Sequence, residues 1–463
     1  MKQRIIALLL VLALTLSVCA VSALAGEESW EQPEEQAAEM AETAAAEDGG
    51  TEEEAPEDGA ESAPPSLAGP DAEPEVDPET GEPLPETEEI VPDELGSVTF
   101  ANVERRMREN NLQVLILEES VQTIQEIDYD DLYEDLRQQL NSLAKTQWSL
   151  VLSGSLIMSE YEKDKTYDQL DQAYDAVREQ FDAIKDGEMQ KDNADAIRQL
   201  KNLQDQIIVA GEATYVALAA METQETALQR QLEALNRTVE EMELRYQLGQ
   251  VSALQLSQTK AGRESLVSGL ETLRMNIKTY KYQLEMLLGA EQTGEIKLGP
   301  VPEVTEKQLA AMDLEADLLA AKEKSWELHD AANTLEDAKE DFKDNYSYGS
   351  TSLTSKQALH TWNAAQYTYS NTVQNYELNF RALYAQVLDN KQILDAAKVS
   401  LACEQEDYAA MELKYRQGSI SKNALLSAED ELRTAEETVK TSANNLFSSY
   451  NNYCWAVQHG ILN

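Results

Sequence analysis

The chain has 463 residues and a formal net charge of −49, because 86 Asp and Glu residues outnumber 37 Lys and Arg residues. This acidity argues against nucleic acid as a partner, since like charges repel the phosphate backbone. The three histidines have no second ligand at i+3 or i+4, so they are interpreted as exposed helix residues and no metal site is predicted. Without a phosphate-binding loop or a nucleophile elbow, neither a cofactor nor a catalytic residue is predicted, and the chain is not expected to be an enzyme.

Residues 1–25 have the pattern of a secretory signal peptide. Two basic residues precede an apolar run over Ile5–Val18, and the small-residue site Ala23–Ala25 follows it. Processing as a lipoprotein at Cys19 is an alternative, although Val18 is bulkier than that signal usually allows just before its cysteine. The sequence therefore predicts an exported protein, and no later stretch has the ~20 apolar residues of a membrane helix.

Residues 26–96 form an acidic segment rich in proline. It holds 26 acidic residues, no Lys or Arg, and ten of the twelve prolines of the chain. Such a composition buries too little apolar surface to offset the entropy cost of ordering, so a disordered tether is predicted. By random-coil scaling its span is roughly 45 Å. It acts either as a solvated spacer or by binding metal ions or a basic partner.

From residue 97 onward the sequence is dominated by heptads. Sixteen successive core positions run from Trp362 to Tyr415 in steps of three and four, and only Gln366, Asn390 and Glu404 among them are polar. A helix over this run is about 80 Å long. The predicted fold class is all-α, with long antiparallel coiled-coil hairpins in two structural repeats.

An eleven-residue phrase occurs twice in these heptads. Met242–Ser252 reads MELRYQLGQVS, and 169 positions later Met411–Ser421 reads MELKYRQGSIS. Glycine just past a helix tolerates the left-handed conformation, and a serine caps the next helix. Each copy is therefore predicted to be the turn at the tip of a helical hairpin.

The residues around each serine add detail to the predicted turns. Val251 with Leu256, and Ile420 with Leu425, occupy the two positions of a hydrophobic staple. Ser252 is followed three positions later by glutamine, which makes a capping box, whereas Ser421 is followed by alanine. The sequence thus predicts a capping box in the first turn and not in the second.

Two repeats are predicted, residues 97–299 and residues 300–463. Val98–Phe100 and Asp313–Leu314 each lead into an opening helix, and they are about 214 positions apart. This separation exceeds 169 by about 45, so the first half holds extra residues. An inserted helical hairpin near residues 161–206, broken at Asp186–Gly187, is the hypothesis for them.

This combination resembles the TolC family of outer-membrane efflux proteins: an export signal, two unequal halves, and a Tyr-x-x-Gly-x-hydrophobic-Ser turn between long helices. The resemblance covers residues 97 to 460. It implies a homotrimer whose helices form a hollow α-barrel, whose tips bind a periplasmic-type adaptor (membrane fusion) protein, and which works with an inner-membrane transporter. By position, the adaptor-docking residues are Leu248, Gly249, Gln250, Val251, Ser252, Gln417, Gly418, Ser419, Ile420 and Ser421.

The membrane end of the family pattern is weak in this sequence. Alternating residues at Trp148–Ser153 and at Tyr346–Gly349 allow at most two short strands, so little or no β-barrel is expected. The predicted location is the cell envelope outside the cytoplasm: the outer membrane if a barrel forms, and otherwise the periplasm or the cell surface.

Two classes of function remain open. The first is a helical conduit of an efflux or export system that docks an adaptor protein. The second is a barrel-less coiled-coil scaffold or interaction protein of the envelope. The tyrosines at heptad positions fit either a conduit wall or amphipathic helix seams. Cys403 and Cys454 lie at heights that differ by roughly 30 Å, so a disulfide between them is not expected.

Overall fold

The computed structural model describes residue 93 and residues 96–157, 159–346 and 352–462. The predicted signal peptide (1–25) and nearly all of the predicted tether (26–96) lie outside the described residues. Within the described part, the chain forms eleven helices and one pair of two-residue strands. The predicted all-α fold with long helical hairpins is confirmed.

The first half contains six helices and both strands. They are β1 Ser97–Val98, α1 Phe100–Asn110, α2 Leu112–Gln125, α3 Tyr129–Ile157, α4 Glu160–Lys185, α5 Glu188–Gln247, α6 Ala253–Leu287 and β2 Lys297–Leu298. The second half contains five helices. They are α7 Glu306–Ala310, α8 Leu314–Lys324, α9 Trp326–Asn345, α10 Leu353–Arg416 and α11 Lys422–His459.

Four long helices dominate the fold. Helix α5 packs against α6, α10 packs against α11, and α5 also packs against α11. The layer therefore has the order α6–α5–α11–α10. Helix α10 runs for 64 residues without a break and contains the whole predicted heptad run from Trp362 to Tyr415. The offset of 169 holds for the structure as well, because α5 and α10 end at residues 247 and 416 and α6 and α11 begin at residues 253 and 422.

The opening helices of the two halves also correspond. Helices α1 and α8 start at residues 100 and 314 and end at residues 110 and 324, which is an offset of 214 at both ends. One residue then separates each from the next helix, and its side chain caps that helix. Asn111 accepts hydrogen bonds from the amides of Gln113 and Val114, and Ser325 accepts one from the amide of Leu328.

A glycine at the end of each half lies against the backbone at the junction between that half's two opening helices. Gly289 and Gly460 follow the last long helix of their halves and have φ of +63° and +71°. A Cβ atom on Gly289 would lie 2.5 Å from the carbonyl oxygen of Asn110, and one on Gly460 would lie 2.3 Å from the amide nitrogen of Ser325. The closing glycines therefore allow backbone to approach backbone.

The core of the second half lies away from the tips, where α8, α10 and α11 meet. Phe380 and Ala456 are fully buried there, beside Tyr376. The Tyr376 hydroxyl donates to the carbonyls of Ala321 and Gly460, at 3.2 and 3.1 Å. At least this heptad tyrosine belongs to a packed seam.

The candidate strand at Trp148–Ser153 does not form, because these residues belong to α3. Around the candidate strand the half-buried positions of α3 are Leu143, Ala144, Gln147 and Leu150. Their spacing of one to four residues suits a helix packed on α4. The second candidate, Tyr346–Gly349, lies outside the described residues except for Tyr346, which is the C-cap of α9.

The region of the predicted insertion contains a break at Asp186–Gly187, where Gly187 has φ +80°. Residues 161–185 belong to α4 and residues 188–206 belong to α5. Helix α4 packs mainly against α3 rather than against α5. Helices α3 and α4 thus form a hairpin in this part of the first half, and the insertion near residues 161–206 stays a prediction.

Candidate functional site: the paired hairpin tips

The first tip joins α5 to α6. Gly249 adopts φ +70°, and its N–H donates to the carbonyl of Tyr246 at 2.9 Å, while the N–H of Gln250 donates to the carbonyl of Arg245 at 2.8 Å. These two bonds form a Schellman motif, which satisfies carbonyls that the helix end leaves free. The Ser252 side chain then caps α6, and its capping box with Gln255 is present as predicted.

The second tip, between α10 and α11, repeats this geometry. Gly418 has φ +72°, its N–H donates to the carbonyl of Tyr415, and the N–H of Ser419 donates to the carbonyl of Lys414, both at 2.9 Å. Ser421 accepts a hydrogen bond from the amide of Ala424 without a capping box. The predicted difference between the two caps is confirmed.

The two tips lie side by side at one end of the helical layer. Arg237 on α5 forms an ion pair with Asp430 on α11, and Arg230 pairs with Glu437 in the same way. Arg237 precedes the first tip glycine by twelve residues, and Asp430 follows the second by twelve. The sequence predicts each of the two turns by itself. The two ion pairs, which place the turns at the same height along the helical layer, are evident only from the structure.

The tips differ in the chemistry of their surfaces. All the candidate docking residues are exposed except Val251 and Ile420, which are half-buried as their staple positions require. Leu248 is 64% exposed at the first tip, whereas Gln417 occupies its place at the second. Leu254 is likewise 67% exposed, and Asn423 is its counterpart. The first tip thus presents an apolar surface that the second lacks.

Two of the three histidines are not exposed as expected. The His329 ring is half-buried and lies 2.6 Å from Asp195, and the His459 ring lies 2.9 Å from Asp205. Both aspartates are on α5, so both contacts join the first half to the second. Among the described residues, no group of three or more His, Cys, Asp or Glu side chains could hold a metal ion. The two cysteines in that part of the chain are free thiols.

A buried carboxylate also joins α5 to α11. Glu212 accepts hydrogen bonds from the Asn451 amide and the Trp455 indole, both at 2.7 Å. Burial raises its pKa above the usual carboxyl value; the two hydrogen bonds oppose this, and the nearby Glu104 adds to it. At neutral pH the ionised side chain therefore lowers the stability of the folded state, and the penalty disappears as the pH falls and the group is protonated.

We expect Glu212→Gln to raise the unfolding temperature at pH 7, because the amide oxygen still accepts both hydrogen bonds and no charge is buried. The expected rise is roughly 2 °C. It should shrink as the pH falls through the raised pKa of the wild-type carboxyl, because that group is then protonated. Thermal unfolding followed by circular dichroism measures both values. Glu109→Gln, at an exposed position on α1, is the control, and a lower unfolding temperature for Glu212→Gln at pH 7 would contradict the prediction.

No helix in the described ranges combines the length and the apolar character needed to cross a membrane. Comparison with known proteins finds no matching family model and no matching curated protein.

Several solved structures are similar to this chain. The CmeC outer membrane channel of Campylobacter jejuni is 17% identical, with 61% of this chain and 67% of that chain covered and a TM-score of 0.39. CusC is 15% identical over 78% of this chain and 96% of that chain, at 0.47. VceC of Vibrio cholerae is 19% identical over 59% and 73%, at 0.36.

Proposed function

We propose that the protein is the TolC-like, conduit-forming component of an efflux or export system of the cell envelope. In this proposal it is a homotrimer that docks a periplasmic-type adaptor protein through its tips and works with an inner-membrane transporter. The observation that carries the proposal is the pair of capped tips at one end of the helical layer, which two ion pairs between α5 and α11 hold at the same height. Two similar turns at one height offer a docking protein repeated contact points.

The rigidity of the tips suits such a role. Each turn is fixed by two backbone hydrogen bonds and a serine cap, so little entropy is lost when a partner binds. Exposed leucines beside polar loop residues provide a small apolar anchor with a polar rim, the usual arrangement of a protein interface. Leu248 is the anchor that we expect to contribute most to binding.

The test compares three glycines that share one conformation. Gly249→Val and Gly418→Val alter the two tips, whereas Gly187→Val alters the turn between α4 and α5. All three glycines have positive φ and open space around the position of a Cβ atom, so the strain of substitution is matched. We expect each tip variant to bind a purified adaptor protein from the same organism at least tenfold more weakly, which is ~1.4 kcal/mol. Gly187→Val should bind as the wild type does.

Adaptor binding is measured by biolayer interferometry, and the mass of the unbound protein is measured by light scattering. Equal binding by the tip variants and the wild type would contradict docking through the tips. A monomer that binds a partner through its tips would instead support an envelope scaffold. A trimer whose affinity depends on both glycines is the result that the conduit requires.

A further inference from the structure

The tips are a basic region of an otherwise acidic chain. Residues 27–96 account for −26 of the net charge and the predicted signal peptide for +2, which leaves −25 on residues 97–463. Two stretches around the tip turns, residues 244–263 and residues 413–428, contain no Asp or Glu. Their basic residues are Arg245, Lys260 and Arg263 in the first stretch and Lys414, Arg416 and Lys422 in the second. The tips therefore favour a negatively charged ligand more than the rest of the body does.

Two of these six cations form no ion pair in the described part of the chain. They are Lys422 and Lys414, whose ammonium group lies 3.9 Å from the Met411 sulfur. The other four pair with glutamates at the borders of the two stretches. The second tip thus has positive charges that nothing in the described residues neutralises.

The seam between α5 and α11 ends in two like charges at the tips. Arg237 on α5 pairs with Asp430 on α11, and the two helices are antiparallel. Eight residues nearer to the tips, Arg245 is therefore level with Lys422, and both are exposed. Like charges at one level repel each other, so an anionic group bound beside them stabilises this end of the seam.

The two tips together offer an apolar surface beside a basic one. Leu248 and Leu254 are exposed at the first tip, and the unpaired lysines are at the second. Helix α11, which begins at the second tip, packs against α5, which ends at the first. Axes of packed helices are about 8–10 Å apart. A ligand that fits this surface has an apolar group next to several negative charges.

One segment of the predicted tether has this composition. Residues 27–35, which lie outside the described residues, read EESWEQPEE, with five glutamates and no basic residue. Trp30 is the one aromatic residue of residues 26–96. Nine extended residues span about 30 Å, so a segment of this length reaches across both tips.

The other end of the tether is fixed to the body. The Asp93 carboxylate accepts hydrogen bonds from the amide and the hydroxyl of Thr99, at 3.0 and 2.8 Å. Close by, the Tyr215 hydroxyl lies 3.5 Å from the carbonyl oxygen of Val98. The tether therefore leaves the body level with Tyr215 on α5.

The length of the tether matches the distance from this point to the tips. Tyr215 precedes Gly249 by 34 residues of sequence, which is about 50 Å of helix. Residues 30–93 span roughly 45 Å by random-coil scaling. The effective concentration of a tethered ligand is highest when the length of its linker matches the span. Elsewhere on the acidic body, the negative charges of the tether are repelled.

We infer that residues 27–35 bind across the two tips of their own chain, with Trp30 on the leucines of the first tip and the glutamates beside Lys414 and Lys422 of the second. The inference goes beyond the proposed function, since this contact needs no adaptor. It is an autoinhibitory contact, because a docking protein has to displace the segment and only the uncovered fraction of tips is open to it.

Cysteine cross-linking tests where the segment binds. In the exported chain, with the native cysteines replaced by serine, Ser29→Cys is combined with Gln250→Cys at the first tip and treated with a short bismaleimide. The control combines Ser29→Cys with Thr226→Cys, which is exposed on the same helix and only about 17 Å from the level of Tyr215. A freely diffusing tether would reach Thr226 more often. We expect linkage to Gln250 to be at least tenfold faster.

Charge reversal tests what holds the segment. Lys414→Glu together with Lys422→Glu should slow linkage to the first tip at least tenfold. Glu28→Lys and Glu31→Lys in the same chain should restore it. Raising the salt concentration to about 0.5 M should also slow linkage, because exposed charges are screened.

A matched pair of substitutions controls for the loss of positive charge. Lys398→Glu and Lys440→Glu change exposed lysines away from the tips and should leave linkage unchanged. Equal linkage to the tip and to the control position, or no effect of the tip charges, would overturn the inference. A product of twice the chain mass would place the segment on another copy and would also overturn it.

Adaptor binding separates this inference from the proposed function. Changing the five glutamates of residues 27–35 to glutamine should strengthen adaptor binding at least threefold, because the tips are then uncovered. Unchanged affinity would refute the autoinhibitory role. Linkage at the tips of a chain that binds no adaptor would leave the inference standing and refute the proposed function; adaptor binding without such linkage would do the reverse.

Discussion

Replacement of Gly460 by alanine is expected to lower the free energy of unfolding by at least about 3 kcal/mol. The added Cβ atom would lie 2.3 Å from the amide nitrogen of Ser325 and 2.5 Å from its Cα atom. Both are backbone atoms that cannot rotate away. The shift needed to relieve this contact would also disturb the hydrogen bond from the Tyr376 hydroxyl to the Gly460 carbonyl. Urea unfolding followed by circular dichroism measures the loss.

Gly418→Ala is the matched control for this prediction. Gly418 and Gly460 have φ of +72° and +71°, but a Cβ atom on Gly418 would meet nothing within 4 Å. Its replacement should therefore cost only the ~1–2 kcal/mol of placing alanine in the left-handed region. Equal losses for the two variants would show that conformation, and not close approach, makes Gly460 necessary. Gly289→Ala should resemble Gly460→Ala, because it meets the carbonyl oxygen of Asn110.

Glu285→Ala should destabilise the loop that joins the two halves, by about 3 kcal/mol. The Glu285 carboxylate is buried near the end of α6 and accepts hydrogen bonds from the Thr293 hydroxyl and from the amides of Gly294, Glu295 and Ile296, at 2.7–3.2 Å. Alanine leaves these donors without their acceptor. Hydrogen exchange of the amides at 294–296 should accelerate in the variant, and urea unfolding gives the total loss.

The stabilisation that Glu285 provides decreases as the pH falls. Burial acts to raise the pKa of Glu285, but the four hydrogen bonds outweigh it, and the pKa lies below the usual carboxyl value. The stabilisation is therefore complete above the ordinary carboxyl pKa and is lost as the pH falls through the lowered one. Glu271→Ala, at an exposed position on α6, should alter neither exchange nor stability. Slow exchange that persists in Glu285→Ala would contradict the assigned role.

The tips were predictable from sequence because the hydrogen bonds that form each turn join residues at most five positions apart. The signals are local: a glycine that must adopt positive φ, a serine at the next N-cap, and a hydrophobic staple. The presence of a capping box in the first turn alone was also predicted correctly. The unbroken course of α10 over Trp362–Tyr415 followed from heptads for the same reason. By contrast, the Trp148–Ser153 alternation was misleading, since the half-buried positions spaced for a helix outweigh a few alternating residues.

The other features of the fold and of the tips depend on contacts between residues that are far apart in the chain. A single sequence does not show which of these residues meet. Nothing in the local pattern indicates that Arg237 meets Asp430, that His329 and His459 both meet aspartates on α5, or that Glu285 organises a loop. The strand pair is equally hidden, because two residues have no measurable periodicity. The different surfaces of the tips were visible in Leu248 and Gln417, but their exposure required the structure.

The parallel pairing of β1 with β2 has a consequence for the order of folding. Ser97 pairs with Lys297, so about 200 residues must be in place before this contact forms, whereas each long hairpin closes through a turn of a few residues. Local contacts form fast, and those between distant residues wait for them. As the chain folds, its hairpins can assemble one after another. The strand pair can form only after the first half of the chain is present. The ion pairs between α5 and α11 require residues near the end of the chain, so the helical layer becomes fully rigid last.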